Sequence, residues 1–122
     1  MAVLLVFLGG MLGAPLRYLT DRAVQARHDS VFPWGTFVVN VVGSFVLGGV
    51  AAGAARHGWP QEVSLFVGTG VCGGLTTFST FGYETVRLIG ARSLAEAGVN
   101  VLGSLTAGLA AAAAGFALIT TL

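Results

Sequence analysis

Between Gly68 and Gly82 the chain reads Gly-Thr-Gly-Val-Cys-Gly-Gly-Leu-Thr-Thr-Phe-Ser-Thr-Phe-Gly, five glycines and four threonines in fifteen residues. The segment lies inside an uncharged run long enough to cross a bilayer, yet it is a poor helix former. Lipid demands a closed backbone hydrogen-bond ladder, so non-helical backbone at membrane depth survives only where protein buries it or where it lines a polar cavity. Carbonyls freed there can hold a cation, and hydroxyls and ring edges can meet an anion. Phe78 and Phe81, three residues apart, share a face if the chain after the break is helical. An aromatic ring offers a positive edge and a negative face, so the edge is what an anion can approach. Two phenylalanines at this spacing are more commonly core packing. What shifts the balance is the crowd of hydroxyls beside them, on Thr76, Thr77, Ser79 and Thr80. A small, strongly hydrated anion needs such donors to replace its water, because an unpaired buried charge is prohibitive. The pattern predicts an ion site.

The elements that position it follow from composition. The chain has 122 residues, 55% hydrophobic and 9% charged, with a mean hydropathy of +0.86, where soluble domains carry about 25% charged residues. Charge-free runs cover residues 2–16, 31–55, 63–83 and 97–122. A helix of about twenty apolar residues spans a bilayer. The last three runs suffice as they stand, and the first does so if Arg17 snorkels to the interface at its end. An all-α membrane protein of four spans, forming one unit over residues 1–122, is therefore expected, with no room for a soluble catalytic domain. The first run lacks a basic leader and is interrupted by Gly9, Gly10 and Gly13, which argues against a cleaved signal peptide. The lone Cys72 excludes an intrachain disulfide. No basic cluster is dense enough for nucleic acid.

The connections are read as Tyr18–Ser30, Arg56–Glu62 and Glu84–Glu96, the early part of the third continuing a helix. Pro33 and Trp34 mark the start of span two, and Trp59 and Pro60 suit an interface turn. A weak repeat relates Val39-Asn40-Val41-Val42-Gly43-Ser44 to Val99-Asn100-Val101-Leu102-Gly103-Ser104, in spans two and four, which must run in the same direction. Each copy sets an Asn and a Ser on one helical face, either as interhelical glue at a small-residue interface or as donors along an ion path. With four spans, the side opposite the termini receives Arg22, Arg27, Arg87 and Arg92. The positive-inside rule makes that side cytoplasmic and turns both termini outward.

Along nearly its full length the chain resembles the Fluc/CrcB family of fluoride channels. The match rests on Gly9-Gly10-Met11-Leu12-Gly13-Ala14-Pro15-Leu16-Arg17-Tyr18, on Gly35-Thr36-Phe37-Val38-Val39-Asn40-Val41-Val42-Gly43-Ser44-Phe45, and most specifically on Gly73-Gly74-Leu75-Thr76-Thr77-Phe78-Ser79-Thr80-Phe81. The resemblance implies subunits whose third helix is broken at the bilayer centre, paired as an antiparallel, dual-topology dimer with two pores. It implies a structural sodium ion, not the transported one, held by the carbonyls of Gly73 and Thr76. It places Phe78 and Phe81 along the pores with their edges to fluoride, Asn40 as a pore donor, and Thr77, Ser79, Thr80 and Ser104 as further hydroxyls. Arg17 and Glu84 fall where the family carries vestibule charge. The Arg17 guanidinium either attracts fluoride to the pore mouth or anchors a helix end, and Glu84 has Arg87 within reach one turn on. In span four the chain departs from the family, which often carries an aromatic hydroxyl where Asn100 aligns and another hydroxyl where Gly108 falls. The arginine bias is a second departure, since an antiparallel homodimer needs a subunit that inserts both ways. The expected partner is a second copy or an oppositely oriented paralogue, in a prokaryotic inner membrane.

Other classes fit less well. A four-span proton-coupled antiporter needs a carboxylate within the membrane, and span one has none, while Glu84 sits at the end of span three. An assembly subunit accounts for the Gly and Ala faces but not for the hydroxyl-rich break. A membrane enzyme needs converging ionisable groups, and His28 and His57 both fall in predicted loops.

Overall fold

The structure, a computed structural model, describes residues 1–28 and 32–122. Among the described residues every regular element is helical: α1 (Ala2–Arg27), α2 (Trp34–Arg56), α3 (residues 61–75), α4 (Ser79–Gly90) and α5 (Leu94–Thr120). Four segments are long and apolar enough to cross a membrane, namely Ala2–Arg27, Trp34–Arg56, Gln61–Gly90 and Leu94–Thr120. The third contains both α3 and α4.

Close contacts fix the directions. The α1 face of Gly9 and Gly13 lies directly on the backbone of α3, where a Cβ on Gly13 would strike the Val71 carbonyl. Contacts pair Gly9 with Gly70 and Gly13 with Leu75, so the numbers rise together and α1 and α3 are parallel. Gly48 abuts Ala112 and Gly108 abuts Ser44, which makes α2 and α5 parallel as well. Gly43 meets Thr76 while Gly68 meets Leu47 and Val50, so α2 and α3 run oppositely. This is an up-and-down bundle whose interfaces are made of small residues. That suits lipid, in which apolar side chains gain nothing by hiding from their surroundings and helices associate by close backbone approach. The large side chains face outward instead: Val3 is 83% exposed, Leu102 70% and Leu109 73%.

Three details depart from expectation. The first helix does not stop near Arg17; it continues to Arg27. Residues 18–27 are polar but rich in helix formers, and Arg22 Nη1 donates to the Tyr18 hydroxyl one turn back at 2.9 Å. Polarity there marks the exit from lipid, not the helix end. Second, the early part of the expected Glu84–Glu96 connection continues α4, as expected, but the helix runs on to Gly90 and α5 begins at Leu94, leaving only residues 91–93 between them. Third, Ser64–Cys72 within α3 is π-helical, a widened turn that is rare and tends to mark functional sites. The start of span two is where Pro33 and Trp34 put it: Pro33 precedes α2 as its N-cap. Asp29 and Ser30 of the expected first connection, and Val31 at the expected start of span two, lie outside the described residues.

Candidate functional site

The third span leaves the helical path at Thr76, whose backbone is extended at φ −82° and ψ 161°, and resumes at Ser79. Side chains take over the backbone bonding at the interruption. Thr77 N–H donates to Asn40 Oδ1 at 2.8 Å, and Asn40 Nδ2 donates to the Thr77 carbonyl at 3.0 Å. One amide side chain thus satisfies both backbone groups of one residue. Thr80 N–H donates to Thr77 Oγ1 at 3.1 Å, a hydroxyl cap on the restarting helix. These two diversions have a consequence for α3. In a continuous helix, Thr77 N–H would close on the Gly73 carbonyl and Thr80 N–H on the Thr76 carbonyl. Both N–H groups are committed elsewhere, so the Gly73 and Thr76 carbonyls lose their helical donors. Arg17 Nη1 reaches the Thr76 carbonyl at 3.4 Å, and the Thr76 hydroxyl turns back to the Cys72 carbonyl at 2.8 Å.

Beside the interruption lies a cavity of about 510 Å³, whose lining includes Asn40, Ser44, Thr77, Phe78, Phe81 and Ser104. The Phe78 and Phe81 ring centroids are 6.0 Å apart with planes inclined at 39°. Phe78 is 83% exposed. The hydroxyls along this wall are largely committed. Ser44 donates to the Asn40 carbonyl at 2.7 Å, and Ser104 to Asn100 Oδ1 at 3.3 Å. Gly73 and Thr76 line the same cavity.

A second cavity of about 190 Å³ is lined by Arg17, Tyr18 and Asp21 of α1, Thr36 of α2, and Thr77 and Thr80. Thr77 is on the wall of both cavities, so the clamped residue stands between them. Glu84 neighbours Thr36, Asp21 and Arg87, and its Oε1 is buried without a hydrogen-bond partner among the described residues.

The predicted residues therefore divide. Asn40, Thr76, Thr77, Phe78, Phe81, Gly73 and Ser104 gather around the large cavity, and Arg17 and Thr80 around the small one. Ser79 is exposed and lines neither. Arg17 does not sit at a helix end; it lies inside α1, half-buried, with Nη1 3.4 Å from the Thr76 carbonyl at the interruption. Asp21, Thr36 and Thr85 were not singled out by sequence. Thr85 bonds the Phe81 carbonyl and Asn100, and the only signal for it was a threonine one turn after the second ring.

Fold and site together define a multi-pass α-helical membrane protein built around an interrupted third span. The sequence pattern of the CrcB-like protein family, described as Camphor Resistance (CrcB), matches residues 4–116. The chain is 59% identical over 94% of its length to a protein of Frankia casuarinae named fluoride-specific ion channel FluC 1, of which 93% is covered. It is 54% identical over 92% of its length to a protein of the same name from Streptomyces avermitilis, 90% covered. Fluoride-specific ion channel FluC 2 of Rhodococcus jostii is 48% identical over 97% of this chain and 98% of its own. The chain belongs to the CrcB (Fluc) family.

Proposed function

We propose that this chain is the subunit of a passive, fluoride-selective channel that lets cytoplasmic fluoride leave the cell and so relieves its toxicity. The observation that carries the reading is the ring pair Phe78–Phe81, 6.0 Å apart, on the wall of a cavity shared with Asn40 and Thr77. Ring edges and the remaining Asn40 amide hydrogen suit an anion. The names of the relatives suit fluoride.

Two chains are proposed to pair antiparallel, each supplying wall to two pores, as a homodimer or with an oppositely oriented paralogue. Phe78 at 83% exposure is an aromatic ring that a partner would cover. The interruptions would then cross at the bilayer centre. The Gly73 and Thr76 carbonyls, stripped of helical donors, are the hard oxygen ligands that a sodium ion takes, two from each chain. Sodium there would tie the crossing together and is not the transported ion. Arg17 already donates to the Thr76 carbonyl, and the oxygen's second lone pair is the one left for the metal.

Fluoride enters cells as the neutral weak acid and dissociates at cytoplasmic pH. The anion leaves through the pore, helped by an inside-negative potential worth about 2.3 kcal/mol per charge per 100 mV. Arg17 and Tyr18 on the small cavity form the mouth, where positive charge raises the local anion concentration. Thr77, which lines both cavities, hands the ion to the ring pair. No bond to fluoride is made or broken, so no catalytic group is required. The membrane is proposed to be the cell membrane of a prokaryote; if the partner is a paralogue, this chain's arginine-rich side faces inward.

Liposomes holding only this purified chain test the reading, with chloride efflux as comparison and Phe81→Ile as control. Rapid fluoride efflux, absent for chloride and lost in the variant, is the expected result. Equal passage of chloride would overturn the fluoride assignment. Silence from well-folded protein that becomes flux on co-expression with a paralogue would replace the homodimer by a heterodimer.

A further inference from the structure

Span four carries an asparagine that is almost wholly buried, Asn100 at 1% exposure, and its side-chain amide links Ser104 on the cavity wall to the turn that bears Phe81. Ser104 Oγ donates to Asn100 Oδ1 at 3.3 Å. Asn100 Nδ2 donates to Thr85 Oγ1 at 2.8 Å. Thr85 Oγ1 donates to the Phe81 carbonyl at 2.9 Å. The three donors point the same way, from the wall of the large cavity through α5 into α4, and such chains polarise one another in a low-dielectric interior. We propose that Asn100 and Thr85 are positioning residues for Phe81, which they hold in register against the cavity through its carbonyl. The inference rests on the ring pair being part of the ion path.

Little of α4 is packed inside the bundle. Its outward side chains are exposed, with Tyr83 at 68% and Val86 at 67%, and Leu88 is its one fully buried side chain. At its start, Asn40 holds Thr77 through two bonds. Nearly two turns into the helix, Glu84 meets Thr36 of α2, and the next residue, Thr85, takes the bond from Asn100. The two copies of the Val-Asn-Val-x-Gly-Ser repeat thus bracket the phenylalanine-bearing turn, the first from α2 and the second from α5. Asn100 itself does not line the cavity, so it meets no ion there. Its Nδ2 and Oδ1 have their partners within the bundle, as a buried amide requires.

The test combines Thr85→Val, which keeps the shape and removes the hydroxyl, with Thr85→Ser, which restores it. 4-Fluorophenylalanine placed at position 81 reports the ring environment by 19F NMR in nanodiscs, and the same probe at Phe7, 63% exposed on α1, serves as control. Thr85→Val and Asn100→Leu should each move or broaden the resonance at 81 but not at 7, and should slow fluoride efflux at least tenfold. The double variant should be no worse than either single one, and Thr85→Ser should recover both signals. Should Thr85→Val or Asn100→Leu fold poorly, Ser104→Ala removes only the outermost donor and should move the resonance the same way by less. An unchanged resonance at 81 in all of these variants would overturn the proposal. Absence of fluoride efflux from the parent chain would instead count against the channel reading, with the NMR comparison still decisive for the relay.

Discussion

Asn40 of α2 grips Thr77 by both ends of its side-chain amide, at 2.8 Å to the N–H and 3.0 Å to the carbonyl. This is the pairing that a neighbouring strand would offer, supplied by one side chain in a bundle that has no strand among its described residues. It decides where the third span stops being a helix. It also limits what else Asn40 can do: of its two amide hydrogens one is engaged, and one remains for the cavity.

Removing that grip should be costly. Asn40→Leu leaves the Thr77 N–H and carbonyl without partners where water is scarce, at about 1–3 kcal/mol for each unsatisfied group. The expected result is a loss of roughly 2–6 kcal/mol in detergent unfolding together with loss of fluoride efflux. Asn40→Asp, whose carboxylate can still accept from the Thr77 N–H but faces its carbonyl with oxygen, should also lose the efflux. Wild-type stability in Asn40→Leu would show that the interruption is set by packing alone.

The four spans were legible because charge-free length is all a bilayer asks of a helix, and residues 31–55, 63–83 and 97–122 supply it without ambiguity. The first span's end was not legible. A helix leaving lipid changes composition before it changes conformation, so Asp21 and Arg22 read as loop while remaining in α1. The interruption was visible in the glycines and threonines, and Phe78 and Phe81 with it. Its mechanism was not, since which acceptor takes the Thr77 N–H is a tertiary fact with 37 residues between the partners. The same holds for Arg17 and Thr76, 59 residues apart, and for Asn100 and Thr85. The repeat announced two asparagines; only packing reveals that both hold the third span.

The α1–α3 seam makes a paired prediction from neighbouring glycines. A Cβ on Gly9 would strike the Phe66 carbonyl, whereas one on Gly10 meets nothing within 4 Å. Gly9→Ala should destabilise by about 1–3 kcal/mol, the usual cost of overpacking. Gly10→Ala should be neutral or stabilising by up to about 1 kcal/mol, because alanine restricts the unfolded chain. Thermal unfolding of both variants in the same detergent decides it. A reversal of the order would mean that α1 is rotated relative to α3.

If the Gly73 and Thr76 carbonyls hold sodium, the ion must stabilise the folded assembly as any native-state ligand does, by about 2.7 kcal/mol at a hundredfold excess over its dissociation constant. Unfolding in sodium should therefore occur at higher temperature than in N-methylglucamine at equal ionic strength. Arg17 gives the prediction a sign. Its guanidinium lies 3.4 Å from the Thr76 carbonyl, so a second cation there is repelled. Arg17→Gln keeps a donor and removes the charge, and the sodium midpoint should fall several-fold. Identical unfolding in the two salts would remove sodium from the account.

The two rings should separate function from stability. Phe78 is 83% exposed in the single chain, so Phe78→Ile removes little packing within the subunit, whose own stability should change by no more than about 0.5 kcal/mol. If its edge meets the permeating ion, the same change should slow fluoride efflux by at least about tenfold, which is 1.4 kcal/mol at the barrier. Isoleucine fills similar space but presents no positive ring edge, so the comparison isolates the quadrupole from the volume. Phe81→Ile should act in the same direction on efflux, with a larger loss of stability because Phe81 is half-buried. Pairing matters here, since the centroids are only 6.0 Å apart and one ion can be passed between them. The double variant Phe78→Ile/Phe81→Ile should then be less than additive on the logarithm of the rate. Unaltered efflux in Phe78→Ile would take that ring out of the ion path and leave it as a contact for the partner chain.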